Sequence, residues 1–277
     1  MLRHCTYPIP SLTPYIAQFW SIEAQCRINM PDYLPGTGVE ILLNLADDVE
    51  LIQTSIAGPS VTTVTLLRAE QAVCICPRLS QLKIKPAGRI HLFSVRFRSA
   101  GFFSLFAIPL NVFSDQVIHI SELGLVLPDT ITNSHHDALV NQLQPWFTSR
   151  LDTKLPGQNL LKHAIDQLYY QHTQFSVQAI QQATDLSERA FQRSVKQLTG
   201  VSAKYFARTA RFQATLKLLL KQPQAPVHFC LDTLLAQGYC DQSHFIRDFR
   251  YFTGSTPTQY LRVANPQCNF YLHPVGD

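Results

Sequence analysis

Between Val39 and about Ser99, apolar and polar residues exchange places at every second position. Val39, Ile41, Leu43 and Leu45 alternate with Glu40, Leu42 and Asn44, and Phe93, Val95 and Phe97 alternate with Ser94, Arg96 and Arg98. Residues two apart share one face of a strand, so this period predicts β-structure. The runs VELIQTSIAG, SVTTVTLL, AVCICP and LKIKP read the same way, and the Gly, Pro and Asp turns between them suit a small sandwich or barrel. After SAGFFSLFAIPL the spacing lengthens to three and four, and HDALVNQLQPWFTSRL and NLLKHAIDQLYYQH predict helices. From Phe175 onward every strong segment is helical, which sets a boundary near QHTQFS, residues 171–176.

The helical third repeats itself. At an offset of 54, SERAFQRSVKQLTGVSAKYFAR (187–208) aligns with DQSHFIRDFRYFTGSTPTQYLR (241–262). Phe191 falls on Phe245, Arg193 on Arg247, Lys196 on Arg250, Thr199 on Thr253 and Gly200 on Gly254. Phe245, Phe249 and Phe252 follow an i, i+4, i+7 pattern, as do Phe191, Val195 and Leu198, so each copy predicts a helix with one buried stripe. Opposite that stripe lie Arg189, Gln192, Arg193 and Lys196 in the first copy, and Ser243, Ile246, Arg247 and Arg250 in the second. Ser187 and Asp241 are candidate N-caps, and Gly200 and Gly254 are candidate left-handed stops. A shorter helical segment precedes each copy, VQAIQQATDL and LDTLLAQGY, with few residues between. Helix, tight turn and second helix with an outward basic face is the helix-turn-helix arrangement, here twice.

Charge sharpens this picture. The whole chain carries a formal +4, yet residues 175–262 hold 11 Lys and Arg against 5 Asp and Glu, so the rest of the chain is slightly acidic. A local basic excess suits a polyanion. Arginine reaches guanine O6 and N7 as a two-pronged donor and glutamine addresses adenine in the same way, which favours DNA over a generic acidic partner. The stretch SAKYFARTARFQATLKLLLKQ between the copies predicts a helix about 30 Å long. That is close to the ~34 Å between successive major grooves on one face of DNA. Lys204, Arg208 and Arg211 near its start are candidates either for phosphate contact or for packing between domains.

On these residues the segment from about 160 to 262 resembles the DNA-binding domain of the AraC/XylS family of bacterial transcription regulators. The second copy, GYCDQSHFIRDFRYFTGSTPTQYLR, carries the family's Gly-aromatic, Asp-x-Ser-His-Phe-x-Arg-x-Phe and Gly-x-Thr-Pro-x-x-Tyr pattern. The resemblance adds Gln242 and His244 to the candidate base-facing set. The chain departs from the family pattern at Leu234, where a small residue is usual, and at Ala203, which stands where the second copy has Pro257. The segments SLTPYIAQFW, LPGTGVEILLNL and VRFRSAGFFSLFAIPL are similar to β-rich N-terminal domains of the family, with Gly36-Thr37 in place of the usual Asp-Gly.

The expected fold class is α+β: a β-rich, cupin-like barrel or sandwich with helices, followed by an all-α double helix-turn-helix domain. The expected division is a β-rich effector-sensing domain at 1–130, a helical segment for dimerisation or linkage at 131–172, the DNA-binding domain at 173–265 and a tail at 266–277. The resemblance implies a sequence-specific regulator, an activator answering to a small-molecule effector, with double-stranded DNA and RNA polymerase as partners and a homodimer left open. A ligand-independent architectural or adaptor protein is the alternative. The residues that would hold an effector are not identified.

Other chemistry finds little support. The patterns GxSxG, HExxH and GxxxxGK[ST] are absent, and His91 is the lone histidine between 39 and 99, so no enzyme, cofactor or metal site is expected. His135 and His136 are adjacent, point apart on a helix and read as surface or loop residues. Cys74 and Cys76 share a strand face and read as small buried apolar residues, with redox or metal binding as the sharper alternative. The start, MLRHCTYPIPSLTPY, lacks the apolar stretch of a secretory signal and no run of eighteen apolar residues occurs, so a cytoplasmic protein without a membrane span is expected.

Overall fold

The structure is a computed structural model that describes residues 2–25, 30, 33–56, 61–128, 135–151, 158–221 and 231–263. Its β-region comprises β1 (Leu2–Thr6), β2 (Ile16–Ala24), β3 (Glu40–Asn44), β4 (Val49–Thr54), β5 (Thr62–Leu67), β6 (Ala72–Ile75), β7 (Gln81–Pro86), β8 (Ile90–Phe97) and β9 (Val117–His119). They form two antiparallel sheets, ordered β1-β2-β8-β3-β6-β9 and β5-β4-β7. β1, β2 and β9 lie outside the span from which strands were expected. β2 escapes a period-two rule because it is buried on both faces, Trp20 and Ile22 toward one core and Ile16 and Phe19 toward the other.

The six-stranded sheet is the middle layer. On one face Leu42, Val73, Ile75, Ile90 and Leu92 meet Val49, Leu51, Leu82 and Ile84 of the smaller sheet. On the other, Ile41, Leu43, Phe93, Val95 and Phe97 are covered by α1 (Gly101–Phe106) and α2 (His136–Thr148) through Phe102, Leu139, Leu143 and Phe147. A sheet covered on both sides has no solvent face, which is why all five residues of β3 are buried although Glu40 and Asn44 are polar. Glu40 is held there by Ser94 (3.2 Å) and Arg96 (3.6 Å). Cys74 and Cys76 lie inside the helix-covered core with their sulfurs 4.0 Å apart, and their mutual hydrogen bond together with burial pushes the Cys74 thiol up.

His136 departs from the expectation of a surface residue. His135 is exposed, but His136 begins α2 and turns into the sheet with 3% of its surface accessible. Its two ring nitrogens lie 2.9 Å from the hydroxyls of Thr6 on β1 and Ser21 on β2, and its ring stacks on His4 at 5.5 Å. A helix N-terminus docked on a sheet buries its first residue, which adjacency in sequence does not reveal. Burial, followed by the neighbouring His4, lowers its pKa from the ordinary 6.5. The unfolded chain therefore binds more protons below about pH 6.5, so this stability is present above that pH and lost as pH falls through it. Burial likewise lowers His91 and His172. Urea unfolding at pH 7.5 and 5.5 is expected to show the wild type losing stability on acidification and His136→Gln losing less; equal losses would contradict the assignment.

The helical third continues with α3 (Gln158–Tyr170), α4 (Val177–Ala183), α5 (Glu188–Thr199), α6 (Ala203–Lys221), α7 (Leu231–Ala236), α8 (Gln242–Thr253) and α9 (Pro257–Val263). α2 packs on the sheet, whereas α3 contributes Ala164, Ile165 and Leu168 to the core around α5. Residues of the β-region reach both helical cores: Ala100 and Phe103 join the α5 core, and Leu34 joins the α8 core. Gln213 donates to the Pro35 carbonyl (3.2 Å) and Gln81 to the Phe252 carbonyl (3.4 Å). The expected tail at 266–277 lies outside the described residues, as do 131–134 and 152–157 of the expected intermediate segment.

Candidate nucleic-acid interface

The first motif is α4, a short turn and α5. Ser187 caps α5 by accepting the amide of Ala190 (3.3 Å), and Gly200 ends it at φ 77°, a left-handed conformation that costs glycine little. Between them Phe191, Val195 and Leu198 are buried against Ile180 of α4 and Phe206 of α6. That burial turns the opposite side of α5 outward. Arg189, Arg193 and Lys196 are exposed and Gln192 is half-buried.

The second motif, α7, a turn and α8, repeats this construction. The Asp241 carboxylate accepts the His244 amide (2.6 Å), and Gly254 stops the helix at φ 72°. Phe245, Phe249 and Phe252 are buried with Phe212, Leu234 and Tyr239, and Phe252 stacks on Phe212 at 4.4 Å. The matched Thr199 and Thr253 do the same work in both copies. Each donates its hydroxyl to the carbonyl four residues back, Val195 (2.7 Å) or Phe249 (2.8 Å). Each also accepts the amide two residues on, Val201 (3.4 Å) or Ser255 (3.1 Å), tying the helix end to the following turn. Ala203 and Pro257 are both first residues of a helix, where proline's missing N–H is harmless and alanine serves as well. Leu234 is fully buried in the α8 core.

On α8, Gln242, Ser243, Arg247 and Arg250 are exposed. Ile246 is not simply outward: it is half-buried and packs on the α8 core, since a position one past Phe245 borders the stripe. His244 is also half-buried, set edge-on to Tyr239 at 5.2 Å and 3.4 Å from Arg211. Among the described residues Arg189, Arg193, Lys196, Arg247 and Arg250 form no ion pair, so both exposed faces present uncompensated positive charge.

The connector α6 divides its three cations. Lys204 is exposed. Arg208 and Arg211 turn toward α8, where the buried Asp248 accepts from Arg208 Nε (2.8 Å) and Arg211 (3.4 Å). Arg208 lies over the Tyr251 ring at 4.1 Å, and Arg211 lies over Tyr239 at 4.8 Å while donating to the Gly238 carbonyl (3.2 Å). These contacts join α6 to α8, both within the span expected for the DNA-binding domain, and are not the packing between domains that was the alternative to phosphate contact. Asp248 is the residue that reasoning from sequence missed. Its signal was present, because an acid three residues after Phe245 and next to Phe249 falls on the stripe that must be buried, and a buried carboxylate needs cationic partners.

Among the described residues no group of three or more His, Cys, Asp or Glu is placed to hold a metal ion, and no described helix is long and apolar enough to cross a membrane.

Comparison with known families matches residues 180–263 to the model described as "Helix-turn-helix domain" and residues 5–119 to the model described as "Domain of unknown function (DUF6597)". No curated protein matches the chain. Among solved structures the chain is similar to ToxT from Vibrio cholerae O395, at 12% identity over 93% of this chain and 99% of that one, with a TM-score of 0.48. It is also similar to ToxT bound to (E)-4-(8-methylnaphthalen-1-yl)but-3-enoic acid, at 11% identity over 88% and 98%, with a TM-score of 0.49. The cupin domain of Cnp3 from Schizosaccharomyces pombe is similar over 34% of this chain and 59% of that one, at 12% identity and a TM-score of 0.27. With its paired motifs, matched caps and basic exposed faces, the C-terminal part is an AraC-type helix-turn-helix domain, and the chain that joins it to a β-rich N-terminal region is a DNA-binding transcription regulator.

Proposed function

We propose that this protein binds a bipartite DNA site in a sequence-specific manner, with α5 and α8 reading two successive major grooves. One observation carries the reading: two capped helices present exposed, unpaired arginines on faces opposite equivalent buried stripes. On α5 the readers are Arg189, Gln192 and Arg193, with Lys196 at the phosphates. On α8 they are Gln242, Ser243 and Arg247, with Arg250 at the phosphates and Ile246 and His244 at the edges of the face. The 19 residues of α6 span about 28 Å, a length compatible with that groove spacing.

Family resemblance supports the finer part of the proposal: a cytoplasmic activator that contacts RNA polymerase, answers to a small-molecule effector through its β-rich region, and works as a homodimer. Selection from random duplexes with the purified full chain, with and without cell metabolite extract, tests both parts. A two-block consensus supports groove reading, and enrichment that changes with extract supports an effector. Indifference to sequence would favour an architectural protein instead.

Arg193→Ala and Arg247→Ala are each expected to cost about 1–3 kcal/mol in binding and to relax preference at one base pair, in different blocks of the site. Binding curves against the selected duplex and its single-base variants check this. An unchanged base preference in both variants would contradict the assignment.

A further inference from the structure

Between the two helix-turn-helix motifs lies a cavity of about 790 Å3, bounded by the segment joining α3 to α4, the first half of α6 and the start of α8. All three contribute basic side chains to its wall: His172, then Lys204, Arg208 and Arg211, then His244. No Asp or Glu lines it. Asp248 offsets one of the three fixed positive charges by pairing with Arg208 and Arg211, while Lys204 forms no ion pair among the described residues. A concave wall with a net positive charge concentrates anions.

A second cavity, of about 410 Å3, shares Arg208 and His244 with the first, is lined also by the carboxylates of Asp241 and Asp248, and extends to Arg247 on α8. The two cavities share part of their wall, so the basic hollow adjoins the face of α8 assigned above to base reading. If α5 and α8 occupy successive major grooves, the sugar–phosphate backbone beside the intervening minor groove passes between them.

We propose that this hollow seats a backbone phosphate of the DNA segment between the two read grooves, with Lys204 and His244 as donors at its mouth and Arg208 and Arg211 as the charges behind them. The proposal rests on the two-groove reading and adds the chemical group that fills the gap. Asp248 and the rings of Tyr251 and Tyr239 already hold the two arginines in place, so little ordering remains when the phosphate arrives. Inorganic phosphate has the same chemistry, and the test separates the two sources.

The experiment uses the full chain and the duplex obtained by random selection. A consensus with one block overturns the two-groove reading and this proposal together. On a two-block duplex, single methylphosphonates, which neutralise one phosphate at a time, are scanned through the intervening backbone. Wild type is expected to lose about tenfold in affinity at one or two adjacent positions. Lys204→Ala is expected to bind the unmodified duplex more weakly, to lower the slope of log affinity against log salt by about one, and to be indifferent to those methylphosphonates. Lys204→Arg restores the sensitivity, and Lys221→Ala, exposed at the far end of α6, keeps it. A flat methylphosphonate profile, or full sensitivity in Lys204→Ala, overturns the phosphate seat while leaving two-groove reading intact. In a parallel arm, inorganic phosphate is added without DNA at constant ionic strength. A Lys204-dependent rise in Tm, together with a flat methylphosphonate profile, assigns the hollow to a free anion and overturns the DNA assignment.

Discussion

Phe249→Ala is expected to lower the stability of the helical third by about 3–5 kcal/mol, the range for deleting a fully buried phenylalanine. Phe249 has no accessible surface and sits edge-on to Phe212 (5.6 Å), Phe245 (5.5 Å) and Tyr260 (5.6 Å), so truncation strips contacts from three rings at once. The relevant probe is helical circular dichroism during urea unfolding, because both tryptophans, Trp20 and Trp146, pack in the β-region and its helix cover and would report on the wrong part. Phe249→Leu, which keeps most of the volume, is expected to cost less than about 1.5 kcal/mol. The same core holds α8 in place, so Phe249→Ala is also expected to lose protection of one half-site in footprints while the half-site read by α5 persists. A full two-block footprint from a variant that has lost this stability would separate α8 packing from DNA recognition and contradict the account.

Asp248→Ala is expected to cost about 2–3 kcal/mol. Removing one partner of a fully buried pair costs about 3–5 kcal/mol because the remaining charge is stranded. Here the arginine side chains are 32% and 23% accessible and can regain water, which reduces the loss. The effect on recognition is more specific than a loss of stability. Asp248 lies on α8 and its arginine partners on α6, so the carboxylate ties α8 to the connector between the two motifs. Wild type is expected to reject duplexes with one base pair inserted between the half-sites, and Asp248→Asn to discriminate less while remaining folded. Equal spacing selectivity would show that the ion pair only stabilises.

Much of the DNA-binding domain was legible in the chain. The stripes Phe191-Val195-Leu198 and Phe245-Phe249-Phe252, the caps Ser187 and Asp241 and the stops Gly200 and Gly254 each depend on neighbours within about two helical turns. Periodicity and capping chemistry report such short-range relations directly. The pairing of Thr199 with Thr253 also emerged from the repeat, although its purpose, closing the helix end onto the next turn, needed atomic positions. β2 was hidden for a physical reason: period-two patterning marks a strand with one wet face, and this strand has none.

What the sequence by itself determined is the helices of the C-terminal motifs, their buried stripes, the duplication that pairs them, and a β-rich stretch between Val39 and about Ser99 that precedes them. These follow from local backbone preferences and from burying apolar stripes. Only the tertiary structure decided which charges remain free. Arg208 and Lys204 are four residues apart on one helix, yet one is paired by Asp248, 40 residues away, and the other is exposed. His135 and His136 are adjacent, yet one is in water and the other is locked between Thr6 and Ser21. The fate of a polar side chain depends on which distant element packs against it, and no local pattern carries that information.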